Sequence, residues 1–217
     1  MYDVDIIRLN KKVRYFTRAY IDAIRDLTAW KRVDAAEPRD DIFAYVYAAL
    51  HDPAYRTTYA ADLRREFPRI ALHDDFARWV AWGQRLLDLH IGYEAVEPFA
   101  LERVDVPTGK PPLPKLRSQP EAGVIVLDTD TQLTGVPAAA WEYRLGNRSA
   151  IDWVLDQHKE KKIKDPTVAK LFDTYRFADH KERVIDLLAR VVTVSLETVA
   201  ITIAMAALQG SSKLASP

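Results

Sequence analysis

The sequence has no cysteine. That excludes zinc knuckles, iron–sulfur ligation and thiol nucleophiles, and it fits a reducing compartment. Disulfides are not needed for stability either: a chain of 217 residues buries roughly 70% of its unfolded surface. Glycine is scarce, with seven scattered residues, so there is no phosphate cradle and no dinucleotide fingerprint. A Gly-x-Ser-x-Gly elbow, a His-Glu-x-x-His metal helix and the Asn/Asp-Pro-Pro-aromatic motif of amino-methyltransferases are all missing. His51, His73, His90, His158 and His180 fall at no ligand-like spacing. The expectation is a chain with no catalytic site of its own, no cofactor and no metal.

There is also no excess of charge of one sign, with 31 Lys plus Arg against 31 Asp plus Glu. Nucleic-acid binders usually carry a basic excess. A DNA reader with this balance must therefore gather its cations on one face. Met1 is followed by Asp3 and Asp5, so no secretory leader is expected and the reading is cytoplasmic. Thr193, Ser195, Glu197, Thr198 and Thr202 interrupt the apolar stretch from Val191 to Leu208, which reads as too polar for a membrane span.

Helical periodicity dominates the first part. Residues 1–34 read as one helix with Lys11, Lys12, Arg14, Arg18 and Arg25 outside its apolar stripe. Ile42, Tyr45, Val46 and Ala49 mark a second helix. Asp52-Pro53 opens a third that carries Tyr55, Tyr59 and Leu63 and stops at Pro68. Asp74 or Asp75 caps a fourth, with Phe76, Trp79, Val80, Leu86, Leu87 and Leu89. Its aromatics read as core, because they keep helical spacing with aliphatics.

The chain changes character at residues 94–120, where six prolines break any helix. A short strand is expected around Leu101 to Val106, and loop for the rest. Gly123 to Leu127 is the clearest strand, its β-branched run preceding the turn Asp128-Thr129-Asp130. Thr131 to Leu133 returns as its partner. Ser149 caps a helix over Ala150 to Lys161, and Asp165-Pro166 starts another. The last helix runs from Asp179 through Val191, and Val194 to Ile203 is either strand or helix. The expected class is mixed α+β and predominantly helical. A helical subdomain spans 1–97, a mixed recognition subdomain 98–205 and a disordered tail 206–217.

The densest chemistry lies between Tyr143 and Lys164. Arg144, Arg148, Lys159, Lys161, Lys162 and Lys164 face only Asp152, Asp156 and Glu160. Gly146-Asn147 reads as a turn that places Asn147 and Arg148 at a helix start. Backbone N–H groups there bind phosphate. Arginine reads guanine edges and asparagine reads adenine. The same residues also suit an ordinary capped surface helix with a Lys-rich end.

Three stretches extend this pattern. The first is Asp41-Ile-Phe-Ala-Tyr-Val-Tyr-Ala-Ala-Leu-His-Asp-Pro-Ala-Tyr-Arg56, with Tyr59 and Phe67-Pro-Arg-Ile70. The second is Gly135-Val-Pro137 leading to Trp141-Glu-Tyr-Arg144. The third is Gly146-Asn-Arg-Ser-Ala-Ile-Asp-Trp-Val-Leu-Asp-Gln157, then Lys164-Asp-Pro166, Thr174-Tyr-Arg-Phe177 and Val192-Thr-Val-Ser-Leu-Glu-Thr-Val199. In order and gaps, over roughly residues 40–200, they resemble the C-terminal target-recognition region of Type ISP restriction-modification enzymes and related predicted helicase-methylase proteins. Such polypeptides combine a nuclease, a helicase motor, a coupler, an adenine methyltransferase and a final recognition domain. The resemblance implies a double-stranded DNA partner, with methyltransferase and helicase domains on the same or a companion polypeptide.

The candidate phosphate contacts are Lys110, Lys115, Arg117, Lys159, Lys161, Lys162 and Lys164, which would set register without reading sequence. The candidate base readers are Arg144, Asn147 and Arg148. Trp153 and Tyr175 read as packing residues. Two other functions fit the sequence. One is a helical docking module for a methyltransferase or helicase subunit, presenting Tyr45, Tyr47, Tyr55 and Trp82. The other is a small hydrolase using Asp128 and Asp130, although Asp-Thr-Asp is also ordinary turn chemistry.

Overall fold

The structure, a computed structural model, describes residues 38–65, 67–70, 72–73, 75–160 and 175–214, with side chains to residue 208. The basic helix expected over 1–34 and the helix expected from Asp165 lie outside the described residues. The chain divides into two compact units: one ends at Gly92 and takes up the chain again from Ala200, and the other is Tyr93–Val199.

In the first unit, helix α1 spans Arg39–His51, with Asp40 and Asp41 in its first turn, where carboxylates complement the helix dipole. It buries Ile42, Tyr45, Val46 and Ala49 on one stripe, and Ala44, Tyr47 and Ala48 beside it. Helix α2, Pro53–Thr58, is capped by Asp52, whose carboxylate accepts the Ala54 and Tyr55 N–H groups at 3.1 Å each. It stops ten residues before Pro68, giving way to a 3-10 turn at Asp62–Arg64. Thr57 and Thr58 are poor helix formers, and Tyr59 packs its ring on Tyr55 at the surface rather than into a core. Helix α3, Phe76–Ile91, is capped by Asp75, which accepts the Arg78 N–H.

Helices α1 and α3 pack closely because Gly83 has no side chain. A Cβ at that position would lie 1.8 Å from the Ala44 carbonyl oxygen. Trp79 is fully buried, stacked on His73 at 4.1 Å and tilted against Tyr45. Tyr45 and Tyr47 are buried as well. This corrects the expectation that they are exposed docking aromatics: they sit on the packed face of α1, and the Tyr45 hydroxyl accepts the His73 N–H.

A pH dependence is built into this unit. His90 is 4% exposed, with its Nδ1 2.8 Å from Tyr47 Oη. The His51 ring lies 5.2 Å from it and bonds the Tyr47 carbonyl. Burial, and then the charge of His51, push His90 down to about 3. Burial pushes His51 down to about 4, with Arg56 adding to the effect and the Tyr47 carbonyl opposing it. Both rings stay neutral in the fold, whereas an unfolded histidine takes up a proton below about 6.5. Stability is therefore full above that value and falls as the pH drops towards the folded values. At pH 5, His90 alone is expected to cost about 2 kcal/mol relative to pH 7. Urea midpoints at the two pH values check this, and His90→Gln should flatten the dependence; an unchanged slope in that variant would remove the assignment.

The second unit holds a four-stranded antiparallel sheet. Its strands are β1 (Glu102–Asp105), β2 (Pro114–Gln119), β3 (Val124–Asp128) and β4 (Thr131–Thr134), in the order β1-β4-β3-β2. Strand β2 falls where loop is expected. Its proline sits at the first position of an edge strand, where no ladder N–H is lost, and pairing with β3 overrides the local signal. A two-stranded hairpin follows, β5 (Arg144–Leu145) and β6 (Arg148–Ser149). Helix α4 spans Ala150–Gln157, shorter than expected. Leu116, Ile125, Leu127 and Leu133 from one sheet face meet Ile151, Val154 and Leu155 of α4, with Trp141, Phe177 and Leu188, in one core. Trp153 and Tyr175 pack against this core, as expected.

Helix α5, Phe177–Leu214, resolves the ambiguity of Val194 to Ile203 in favour of helix. It also continues past residue 206, where a tail is expected, because Met205, Ala206, Ala207 and Leu208 are strong helix formers. Its most apolar 18-residue window has a mean hydropathy of 2.0, enough by length and composition to cross a membrane. This corrects the expectation drawn from its threonines and serine, whose hydroxyls weigh little against so many aliphatics. The core helix of a soluble protein passes the same test. Here Val184, Leu188, Val191 and Val192 belong to the second unit's core, and the Ser195 hydroxyl donates to the Val191 carbonyl.

Candidate functional site

Period-two alternation gives β2 two different faces. Leu116 is buried and Ser118 points the same way, its hydroxyl donating to Asp152 at the start of α4 at 2.5 Å. Lys115, Arg117 and Gln119 point to the other side. The register shifts between Pro114 and Arg117, and Leu116 has a φ of +35°, the only positive value among described non-glycine residues. This bulge keeps Leu116 in the core while Lys115 and Arg117 share the outer face.

On that outer face the cross-strand pairs form a rung. Val104 of β1 faces Gln132 of β4, Gln132 faces Val126 of β3, and Val126 faces Arg117 of β2. The rung floors an open concavity of about 240 Å³, lined also by Lys115, Gln119, Asp128 and Asp130. Lys115 and Arg117 are exposed and form no ion pair among the described residues. The acidic groups of this face are already engaged. Asp128 is 4% exposed; one oxygen accepts the Asp130 and Thr131 N–H groups at 2.8 Å each, and the other pairs with Lys181 at 2.8 Å. Asp130 accepts from the Thr129 and Thr108 hydroxyls, which hold its carboxyl below the usual carboxylate range. One concavity therefore does hold both carboxylates, as a hydrolase would require. Their oxygens, however, are committed to closing the β3–β4 turn and pinning the loop before β2. Among the described residues no cluster of His, Asp and Glu could hold a metal.

A second group of candidates surrounds the β5–β6 hairpin. Gly146, with a φ of +70°, opens its two-residue turn. Asn147 is at the tip, and Arg148 lies in β6 rather than in the first turn of a helix. The Arg144 guanidinium donates to the Asn147 carbonyl. Ser149 caps α4 by accepting the Asp152 N–H at 3.0 Å. At the far end of α4, Asp156 binds Arg148 at 2.5 Å and Lys159 at 3.1 Å. Lys159 first, then Arg148, hold the Asp156 carboxyl below its ordinary range.

The expected contact residues thus fall into separate sets. Lys115 and Arg117 stand together on the sheet face opposite α4. Arg144, Asn147, Arg148 and Lys159 gather around the hairpin and the end of α4. Lys110 is exposed in the β1–β2 loop. Lys161, Lys162 and Lys164 lie outside the described residues. Sequence reasoning did not single out Gln119 or Gln132, and it placed Asp156 only among the acids opposing the basic cluster. The alternation of Gln132 between buried Thr131 and Leu133 was the signal available for one of them.

Comparison with known proteins adds to this geometry. Residues 8–187 match the family model of the Type ISP C-terminal specificity domain. The chain is similar to part of the DrdV–DNA complex, solved by cryo-electron microscopy. Identity there is 51% and the TM-score 0.76, covering 84% of this chain and 19% of that one. It is also similar to part of a nuclease-deletion mutant of the Type ISP restriction-modification enzyme LlaGI, in complex with a DNA substrate mimic. That match has 31% identity and a TM-score of 0.59, covering 76% of this chain and 13% of the other. The ATP-dependent Type ISP enzyme LlaBIII bound to DNA shares the fold, with a TM-score of 0.59 at 24% identity, over 77% of this chain and 11% of that one. The chain therefore spans less than a fifth of the length of each of these proteins. No curated protein matches it.

Proposed function

The chain belongs to the Type ISP C-terminal specificity domain family, and from that premise we propose that it is the DNA target-recognition module of a restriction-modification polypeptide. It recognises sequence, and the methyltransferase and helicase domains of the same or a companion polypeptide supply the chemistry, in the cytoplasm. The observation that carries this is the match over residues 8–187, reinforced by 51% identity to part of a protein solved on DNA. In this reading the mixed stretch 98–205 presents the recognition surface. Lys110, Lys115, Arg117, Lys159, Lys161, Lys162 and Lys164 neutralise phosphates. Arg144, Asn147 and Arg148 approach base edges.

Asp156 then acts as a brake, because it occupies two cations that DNA would otherwise engage, Lys159 for a phosphate and Arg148 for a base edge. Asp156→Asn is expected to tighten binding to random duplex DNA several-fold at about 50 mM salt. It should also steepen the salt dependence, since each additional phosphate contact adds about 0.9 to the slope of log K against log[salt]. Fluorescence anisotropy with a labelled duplex, titrated across salt, measures both. Wild-type chain that ignores duplex DNA even in dilute buffer, or binds it independently of salt, overturns the proposal.

A further inference from the structure

The outer face of the sheet has a graded character that the hairpin lacks. At the β2 edge stand Lys115 and Arg117, exposed and without a carboxylate partner among the described residues. In the middle, on β4, is Gln132, half-buried between Val126 and Val104 on the same rung. At the β1 edge is Glu102, opposite Thr134. Cations on one side, an amide flanked by apolar groups in the centre and an acid on the far side form a polar surface with a direction.

Resting on the recognition reading above, we infer that this face sits on the major groove of duplex DNA and that its central rung reads an A·T pair. Lys115 and Arg117 hold one phosphate strand along the groove wall. Gln132 offers the amide that pairs with adenine N6 and N7, and Val104 offers the apolar contact that the thymine methyl selects. The dimensions agree. Arg117 and Gln132 are two strands apart, roughly 10 Å at the usual interstrand spacing. That suits a span from wall to floor in a groove about 12 Å wide and 8.5 Å deep. Of the carboxylates on this face, Asp128 is compensated by Lys181, whereas Asp130 and Glu102 keep their negative charge, since the hydroxyls of Thr108, Thr129 and Thr134 that bond them are uncharged; the phosphate strand is therefore placed at the Lys115 and Arg117 edge. The face is also rigid: β2 is tied to α4 through Ser118 and Asp152, and β3 and β4 through the Asp128 turn. The base-reading role thereby extends from the hairpin to strands.

The experiment selects preferred duplexes with the full 217-residue chain and then compares variants on the selected and a random duplex. Gln132→Ala should relax preference at one A·T position, by roughly 5- to 150-fold. Gln132→Glu should shift that position towards cytosine, whose N4 amino group donates to a carboxylate. Arg117→Ala should weaken binding to all duplexes alike and lower the salt slope by about 0.9. Circular dichroism confirms that each variant is folded, and the glutamate variant tests the same position if the alanine one is not. Wild-type preference that survives both Gln132 variants, with an unaltered salt slope in Arg117→Ala, overturns the inference but leaves the recognition reading standing. Wild-type chain that binds no duplex overturns both.

Discussion

Gly83→Ala is expected to destabilise the first unit by about 3 kcal/mol or more, the upper part of the range for overpacking. The added methyl would lie 1.8 Å from the Ala44 oxygen and 2.4 Å from its carbonyl carbon. Both belong to the backbone of α1, so no rotamer change relieves the clash. One helix must move, and the layer of Tyr45, Ala48, Trp79 and Leu86 between them loosens as it does. Alanine's better helix propensity returns only about 1 kcal/mol. Gly109→Ala is the control. Gly109 has a φ of +74° and nothing within 4 Å of where a Cβ would stand, so it should lose only the roughly 1–2 kcal/mol of a left-handed non-glycine residue. Urea midpoints, followed by far-ultraviolet circular dichroism and by the fluorescence of all five tryptophans, decide between them. Equal losses at the two glycines would show that close helix approach is not what Gly83 provides.

Asp128→Ala is expected to cost about 3–5 kcal/mol, the scale for stripping one partner from a buried ion pair. Two backbone N–H groups lose their acceptor, and the Lys181 ammonium, 17% exposed at its side chain, loses its counter-charge. Asp128→Asn should lose less, because its amide oxygen still closes the turn. Lys181→Met combined with Asp128→Asn should cost less than the two single changes added together, by about 0.5–3 kcal/mol, as interacting partners do. Chemical denaturation of the four proteins yields that coupling. Strict additivity would mean that Asp128 serves only the turn.

What the sequence disclosed was mostly local. Asp52, Asp75 and Ser149 could be read as caps, because a cap needs only its own next three residues. Val124 to Leu127 could be read as a strand from its β-branched run. Strand β2 could not, since four prolines surround it from Pro107 to Pro114 and its extended form comes from pairing with β3, a partner fixed by the fold. The burial of Tyr47 was hidden for a related reason, whereas Tyr45 already lay on the apolar stripe. Helix α1 is packed on more than one side, so a single stripe understates what it covers. At the candidate site, the identity of the cations was plain but their grouping was not. Spacing along the chain cannot show that Arg148 and Lys159 converge on Asp156, or that Arg117 stands above Gln132 across two strands. The family resemblance identified the class of protein without assigning roles to these residues.

The bulge at Leu116 has a consequence for how such a surface can change over generations. The strand carries two columns: Leu116 lies in the core and Ser118 bonds Asp152 of α4, whereas the side chains of Lys115, Arg117 and Gln119 are exposed on the outer face. Replacements in the outward column leave the inward one intact. A scaffold of this kind can acquire a new binding preference one exposed position at a time, with its architecture inherited unaltered.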